Sequence, residues 1–136
     1  MNVSLVSDVT PELEALWSHA HSDVLIKRGG VALLHTLCGA TDERDLLNEV
    51  VASSSLWVVH DDEQLIGFVV CRARVVEAIY VAHPFRRKKA ATTLVHALLA
   101  GATPPVDAYA LPGDRAMKSL YESLGWKARL LTMRGA

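Results

Sequence analysis

The chain has 136 residues, of which 51% are hydrophobic and 21% are charged, and its formal net charge is −1. This length predicts one domain, residues 1–136, and the composition is typical of a globular protein rather than a disordered one. The small net charge argues against nucleic acid as a general partner, because affinity for phosphate backbones comes from an excess of lysine and arginine.

The sequence also lacks the marks of a membrane or secreted protein. No apolar run is long enough to cross a bilayer, and Met1–Ser4 does not begin a basic and then apolar leader. Cys38 and Cys71 are far apart and have no metal-ligand spacing, which predicts reduced thiols. We therefore expect a cytoplasmic protein that makes no membrane contact.

The first part of the chain predicts a strand followed by helices. Met1–Ser7 alternates apolar and polar residues, as strands do. Thr10 and Pro11 then favour a helix start, with a hydroxyl cap and a proline in the first turn. Two further helices are predicted over Val31–Cys38 and Asp42–Ala52.

Three strands are predicted next. Leu56–His60 and Leu65–Arg72 are apolar runs separated by a short polar turn, a spacing typical of an antiparallel hairpin. Val75–Val81 follows closely and completes a three-stranded meander.

A cationic turn follows the third of these strands. The strand pattern stops at Pro84, cations occupy residues 86–89, and a helical pattern with Leu94 and Leu98 on one face comes next. A helix start leaves backbone N–H groups without partners, and such groups bind anions. The turn therefore predicts a polyphosphate site, and the alternative is a basic turn that is merely solvated.

A fourth strand of this group and a last helix are predicted after it. Val106–Leu111 follows a helical crossover and should lie parallel to Val75–Val81. The last helix should bury an apolar side formed by Ala116, Leu120 and Leu124.

The chain is predicted to close with one more strand. Gly125 is expected to end the last helix, and Trp126–Met133 then has a strand pattern. A terminal strand of this kind can pair across a homodimer.

Two sequence blocks resemble segments of the GNAT superfamily of N-acetyltransferases, and the order of predicted elements resembles that family across almost the whole chain. Residues 81–94 look like the family's V-x-x-P-x-x-R-x-x-G-x-G/A-x-x-L pyrophosphate loop, and residues 110–126 look like its L-x-x-N-x-x-A-x-x-x-Y-x-x-x-G-F/W segment. The resemblance implies a mixed α/β (α+β) fold. In that fold a mostly antiparallel sheet of six to seven strands, with a splayed central pair, is flanked by about four helices. It also implies an acetyl-CoA-dependent N-acetyltransferase that moves an acetyl group directly to a primary amine.

By this resemblance, acetyl-CoA would bind in the gap beside the strand Val75–Val81. The pantetheine amides would pair with the strand edge, and the pyrophosphate would lie on the turn that follows. The residues implied in cofactor binding are Ile79, Tyr80, Val81, Arg86, Arg87, Lys88, Lys89, Ala90, Ala91, Thr92 and Asp114.

Two residues depart from the family pattern. Lys89 stands where the loop has glycine, and Asp114 stands where the second block has asparagine. Glycine lets the backbone approach a phosphate closely, whereas the lysine side chain could point to solvent, contact a phosphate or block the ligand. The substitution favours an alternative function, that of a catalytically weak or inactive CoA-binding or regulatory module.

Tyr121 and Glu77 are the candidate catalytic residues. Tyr121 matches the family's tyrosine, which gives a proton to the departing CoA thiolate, and the alternative is that its ring only packs in the core. Glu77 interrupts an apolar strand beside the cofactor gap and would accept a proton, because an amine must be neutral to attack. The alternative for Glu77 is solvent exposure or an ion pair with Arg72 or Arg74.

The residues do not specify the acceptor beyond a small-molecule or peptide amine. The region His21–Ala40 is expected to form the acceptor side, and its basic stretch Lys27–Gly30 would mildly disfavour a polycation. His83 beside Pro84 is predicted to be a surface turn residue. The histidines have no metal-ligand spacing, so no metal site is predicted.

Overall fold

A computed structural model describes residues 1–25, 42–86, 89–131, 133 and 135. The predicted helix Val31–Cys38 and the basic stretch Lys27–Gly30 lie outside these residues. The described elements are β1 (Asn2–Leu5), α1 (Pro11–Leu25), α2 (Glu43–Ala52), β2 (Leu56–Asp61), β3 (Gln64–Arg72), β4 (Val75–Val81), α3 (Ala90–Gly101), β5 (Asp107–Ala108) and α4 (Arg115–Ser123).

The strands form one mixed sheet in the order β1-β2-β3-β4-β5. The first three pairings are antiparallel, which confirms the predicted hairpin and meander. β4 and β5 are parallel, as expected for strands joined by a helical crossover. The mixed, mostly antiparallel architecture is confirmed, but the prediction of six to seven strands is wrong, because the described sheet has five.

The missing strand lies at the C-terminal end. The predicted strand Val106–Leu111 pairs only over Asp107–Ala108, and the described residues of Trp126–Met133 form no strand. An alternating pattern becomes a strand only where a partner edge supplies hydrogen bonds, and β5 is short. Leu130 is 90% exposed as a result. A homodimer formed through this segment stays a prediction.

Side chains cap three of the described helices, namely α1, α2 and α4. Each capping oxygen accepts a hydrogen bond from a backbone N–H that a helix start leaves without a partner, a contact worth about 1 kcal/mol. The capping oxygens and their donors are Thr10 with Leu13 at 3.2 Å, Asp42 with Asp45 at 2.9 Å, and Asp114 with Met117 at 3.0 Å. Asp114 thus serves as an N-cap, a position that suits aspartate as well as asparagine.

Helices cover both faces of the sheet. α1 and α2 pack on one face around Trp17 and Phe68, whose ring centroids are 5.1 Å apart. α3 and α4 pack on the other face, where Leu94, Val95 and Tyr121 are buried. None of the helices that the structure describes is both long and apolar enough to cross a membrane.

One core prediction for α4 is wrong. Ala116 is exposed, whereas Leu120 and Leu124 are partly buried and Tyr121 is the most buried residue of the helix. Five residues along a helix correspond to a rotation of roughly 140°. The helix that turns position 121 toward the sheet therefore turns position 116 away from it.

Candidate active site

β4 continues beyond its short pairing with β5, and we call the space beside this unpaired part of β4 the gap. The two strands pair only where β4 begins, through Val75 with Asp107 and Val76 with Ala108. Beyond this point no strand in the described ranges pairs with the β5-facing edge of Ile79–Val81. Pairing between β4 and β5 is thus confined to the start of β4, and the splayed strand pair stays a prediction.

The backbone groups of Ile79 and Val81 point into this gap. N–H and C=O groups alternate between the two sides of a strand, and the Ala82 N–H donates to the Ile66 carbonyl of β3 at 2.8 Å. After the bulge at Glu77, even-numbered residues such as Tyr80 therefore direct their backbone groups toward β3, and Ile79 and Val81 direct theirs toward the gap. An extended ligand that contains amides can pair with this edge as an added strand.

The N-terminus of α3 follows along the chain, and its first backbone N–H groups have no partner within the helix. Unlike the other three described helices, α3 makes no side-chain capping bond, and its N-cap residue is Lys89. Thr93 donates the first intrahelical bond, to the Lys89 carbonyl at 2.9 Å, so the amides of Ala90, Ala91 and Thr92 have no partner within the helix. These N–H groups at the positive end of the helix dipole suit a phosphate.

Lys89 makes the turn for which the family uses glycine. Its φ of +66° and ψ of +13° lie in the left-handed region, which costs a residue with a side chain roughly 1 kcal/mol. Its side chain is exposed. The lysine therefore keeps the backbone path of a glycine turn and adds a positive charge beside the helix start. Arg87 and Lys88, also predicted to bind the cofactor, lie outside the described residues.

We expect Lys89→Gly to stabilise the fold by about 1 kcal/mol, because glycine adopts the left-handed conformation without strain. Affinity for CoA should fall a few-fold, since one exposed cation near the phosphates is lost. Thermal unfolding and calorimetry would measure the two effects. Arg74→Gly is the matched control, because Arg74 also has a positive φ of 63° but lies in the β3–β4 turn. It should raise stability similarly and leave CoA affinity unchanged; equal affinity losses in both variants would contradict this account.

The Arg86 side chain reaches back to β4 and to α1. Its Nε donates to the Val81 carbonyl at 3.0 Å, its Nη2 lies 3.1 Å from Oδ2 of Asp23 in α1, and its guanidinium carbon lies 5.4 Å from the Tyr80 ring centroid. Burial and then the nearby Asp23 carboxylate raise the pKa of Tyr80, an effect that Arg86 partly opposes. Sequence reasoning missed Asp23, because no local pattern connects residues 63 positions apart.

Tyr121 is buried on the α3–α4 face. It is 7% exposed, and its ring stacks on Trp126 with the centroids 5.1 Å apart. Its hydroxyl meets no hydrogen-bond partner among the residues that the structure describes. Burial, followed by Asp114 and Cys71, raises the pKa of Tyr121, so the hydroxyl keeps its proton at neutral pH. Tyr121 is therefore a core residue, and its hydroxyl is also a proton donor that has no hydrogen-bond partner in the described ranges.

Glu77 is the extra residue of a β-bulge in β4. Val70 pairs with Ala78 and Cys71 pairs with Val76, which leaves Glu77 without an opposite residue in β3. The bulge lies next to the point where β5 stops pairing with β4. The bulge changes the direction of the Glu77 side chain at the point where the gap begins.

The Glu77 carboxylate is held by Arg72. Nε and Nη2 of Arg72 donate to its two oxygens, the second at 3.1 Å, and the Glu77 side chain is only 13% exposed. Nη1 of Arg72 also lies 3.5 Å from Oε1 of Glu49, which places the ion pair beside α2. The ion pair with Arg72, one of the alternatives for Glu77, is therefore present.

His83 and Cys71 are two further titratable residues on or next to these strands. His83 is exposed in a 3-10 turn over His83–Phe85, where a surface residue was predicted. Burial and then Glu77 raise the pKa of the Cys71 thiol, which stays protonated. Within the described ranges no group of three or more histidine, cysteine, aspartate or glutamate side chains could hold a metal ion. Cys38 lies outside those ranges.

Solved structures share this fold at low sequence identity. An aminoglycoside 6'-N-acetyltransferase from Acinetobacter haemolyticus is 15% identical, with a TM-score of 0.65 and coverage of 100% of this chain and 97% of that one. The PaiA N-acetyltransferase of Thermoplasma acidophilum, in complex with CoA, is 20% identical, with a TM-score of 0.64 and coverage of 95% and 92%. A ribosomal-protein-alanine N-acetyltransferase from Brucella melitensis is 17% identical, with a TM-score of 0.56 and coverage of 98% and 100%. Identities this low show the fold alone.

The sequence itself provides the family assignment. No curated protein matches the chain. A family model described as an acetyltransferase (GNAT) domain matches residues 52–128, which include β2 to β5, α3, the bulge at Glu77 and the buried Tyr121. Because this match spans more than half of the sequence, the chain belongs to the GNAT acetyltransferase family.

Proposed function

We propose that this protein is an acetyl-CoA-dependent N-acetyltransferase that moves an acetyl group directly to a primary amine. The observation that carries the proposal is the junction of β4 and α3. There a strand edge that pairs with no strand in the described ranges leads to a helix start whose first amides have no partner within the helix. The pantetheine arm and pyrophosphate of acetyl-CoA match these two features in the same order.

In this proposal the backbone of β4 and α3 binds acetyl-CoA. Ile79 and Val81 pair with the pantetheine amides, and the N–H groups of Ala90, Ala91 and Thr92 hold the pyrophosphate, which the helix dipole favours by up to about 1 kcal/mol. The CoA complex of the PaiA enzyme, which has the same fold, supports this assignment.

Two side chains would move the protons of the reaction. Acetyl-CoA supplies a thioester, and transfer forms a C–N bond as the C–S bond breaks. Tyr121 donates its proton to the leaving thiolate, which is a much better leaving group when protonated. Glu77 accepts the proton that the acceptor's ammonium must lose before attack, and Arg72 keeps its carboxylate in one orientation.

We propose a small-molecule or peptide amine as the acceptor. The comparison structures include an aminoglycoside acetyltransferase and a ribosomal-protein-alanine acetyltransferase, so this fold serves both classes. Which class applies here depends on the α1–α2 side of the sheet.

Calorimetric titration with acetyl-CoA and with CoA tests the cofactor assignment. We expect both ligands to bind in the micromolar range. No binding at millimolar ligand would contradict the enzyme and also the alternative, an inactive CoA-binding or regulatory module. Binding without amine-dependent turnover would leave only that module.

We expect Glu77→Gln to lower kcat by about tenfold at every pH, because the amide cannot accept the proton and water replaces it only in part. Affinity for acetyl-CoA should not change. Glu49→Gln is the matched control, because Glu49 contacts the same arginine from the exposed side. A Glu77→Gln enzyme with normal turnover and a normal pH–rate profile would show that the Glu77–Arg72 pair is structural only.

A further inference from the structure

We infer that Asp23 and Tyr80 form a binding site for a second positive charge on the acceptor, and that the Arg86 guanidinium fills this site until CoA binds. The inference rests on the proposed function and names the class of its acceptor, a dicationic amine. It assigns Arg86 to the acceptor side of β4 in the free protein, whereas the sequence predicted only a cofactor role for this residue.

The Arg86 guanidinium already marks a cation site. It lies over the Tyr80 ring, 5.4 Å from the centroid, and 3.1 Å from the Asp23 carboxylate. A carboxylate next to an aromatic face is a general arrangement for binding an ammonium or guanidinium group. The Asp23 side chain is 36% exposed, so a ligand can reach it.

The site is rigid on its aromatic side. The Tyr80 ring packs against Phe68 with the centroids 6.0 Å apart, and Phe68 packs against Trp17. This row of rings is anchored in the core between the sheet and α1. Asp23 belongs to the last turn of α1, a helix with no basic residue in that turn, so the carboxylate has no cationic neighbour there to replace Arg86.

CoA would release Arg86 from this site in two ways. Nε of Arg86 uses the Val81 carbonyl, which is one of the gap-facing groups that the pantetheine amides would pair with. Arg86 also begins the cationic turn next to the start of α3, where the pyrophosphate would lie, and guanidinium groups bind phosphate strongly. CoA would therefore compete with Arg86 for the Val81 carbonyl, and its pyrophosphate would attract the Arg86 guanidinium.

The spacing along β4 sets the separation between Glu77 and the Tyr80 side of the cation site. Glu77 and Tyr80 are three residues apart on β4, which corresponds to roughly 10 Å at 3.3 Å per residue. An acceptor that gives up its proton at Glu77 can thus place a second ammonium over the Tyr80 ring, where the Arg86 guanidinium now lies beside Asp23. The sequence predicted that the basic stretch Lys27–Gly30 mildly disfavours a polycation. That stretch lies outside the described residues.

Calorimetry with linear diamines tests the site without requiring turnover. The probes are diaminobutane, diaminoheptane and diaminodecane, with heptylamine as the monocation, each titrated with saturating CoA and without it. In diaminoheptane the nitrogens are roughly 10 Å apart, the separation that the strand spacing requires. We expect it to bind the CoA complex about tenfold more tightly than heptylamine or diaminobutane, which corresponds to about 1.4 kcal/mol.

Three variants separate the roles. Asp23→Asn should remove the preference for diaminoheptane, whereas Glu12→Gln, an exposed acid in the first turn of the same helix, should keep it. In the wild type, leaving out CoA should weaken diaminoheptane binding about tenfold, because Arg86 fills the site. In Arg86→Gln the affinity should be nearly the same with and without CoA.

Several results would overturn the inference. They are equal binding of heptylamine and diaminoheptane, no diamine binding at all, an unchanged preference in Asp23→Asn, or a wild-type affinity that does not depend on CoA. If CoA binds in these experiments, such results refute the second-charge site alone. A failure of CoA itself to bind would refute the proposed function.

Discussion

Tyr121→Phe should lower kcat by roughly 100-fold, about 2.7 kcal/mol in activation free energy, while the protein stays as stable or becomes slightly more stable. The loss is expected because the phenol donates the proton that the leaving thiolate needs. The stability effect follows from burial: the hydroxyl meets no partner in the described part of the chain, and an unpartnered buried hydroxyl costs about 1 kcal/mol or more. Steady-state kinetics and thermal unfolding measure the two effects on the same sample.

The pH dependence of stability provides a second signature of Tyr121. Its pKa is raised in the folded state, so above about pH 10 the unfolded chain loses this proton while the folded chain keeps it. The free energy of unfolding should therefore fall as pH rises through that range, and part of the fall should be absent in Tyr121→Phe. Tyr109→Phe, at a tyrosine that is 44% exposed, is the control and should change neither kcat nor stability. A Tyr121→Phe enzyme with normal kcat would show that the residue only packs in the core.

Thr92→Glu should weaken CoA binding about 30-fold or more and at the same time stabilise α3. A carboxylate in the first turn of a helix is favourable by about 0.3–1 kcal/mol, because it interacts with the positive end of the helix dipole. The same charge lies where the pyrophosphate would bind, and repulsion between such close charges costs about 2 kcal/mol or more. Opposite changes in ligand affinity and melting temperature are therefore expected.

Thr92→Gln separates charge from size. Glutamine is about as large as glutamate but neutral, so CoA affinity should stay within about threefold of the wild type. Equal losses in both variants would mean that the side chain blocks the ligand by bulk. Unchanged affinity in Thr92→Glu would place the pyrophosphate away from the start of α3.

Local patterns in the sequence predicted much of the fold. The hairpin of β2 and β3, the start of α1 at Pro11 and the parallel crossover to β5 each depend on residues that are close in sequence or on simple chain geometry. The junction of Val81 and Lys89 was predicted as a strand-to-helix turn for the same reason. Its left-handed N-cap agrees with the family's use of glycine at this position.

Features that depend on distant contacts were not predictable in this way. The contact between Asp23 and Arg86 joins α1 to the turn after β4, and no sequence periodicity reveals it. The bulge at Glu77 depends on the register between β3 and β4, which a single strand pattern does not contain. The prediction of a last strand was wrong for the described residues of Trp126–Met133, because a strand pattern does not show whether a partner edge exists.

The most direct test of acetyl transfer is a measurement of free thiol released from acetyl-CoA with a panel of primary amines. The panel should contain monoamines, linear diamines, amino sugars and peptides with free N-termini. We expect amine-dependent thiol release that is roughly 100-fold slower in Tyr121→Phe than in the wild type. No amine-dependent release from a protein that binds acetyl-CoA would contradict the account and leave a CoA-binding module without transferase activity.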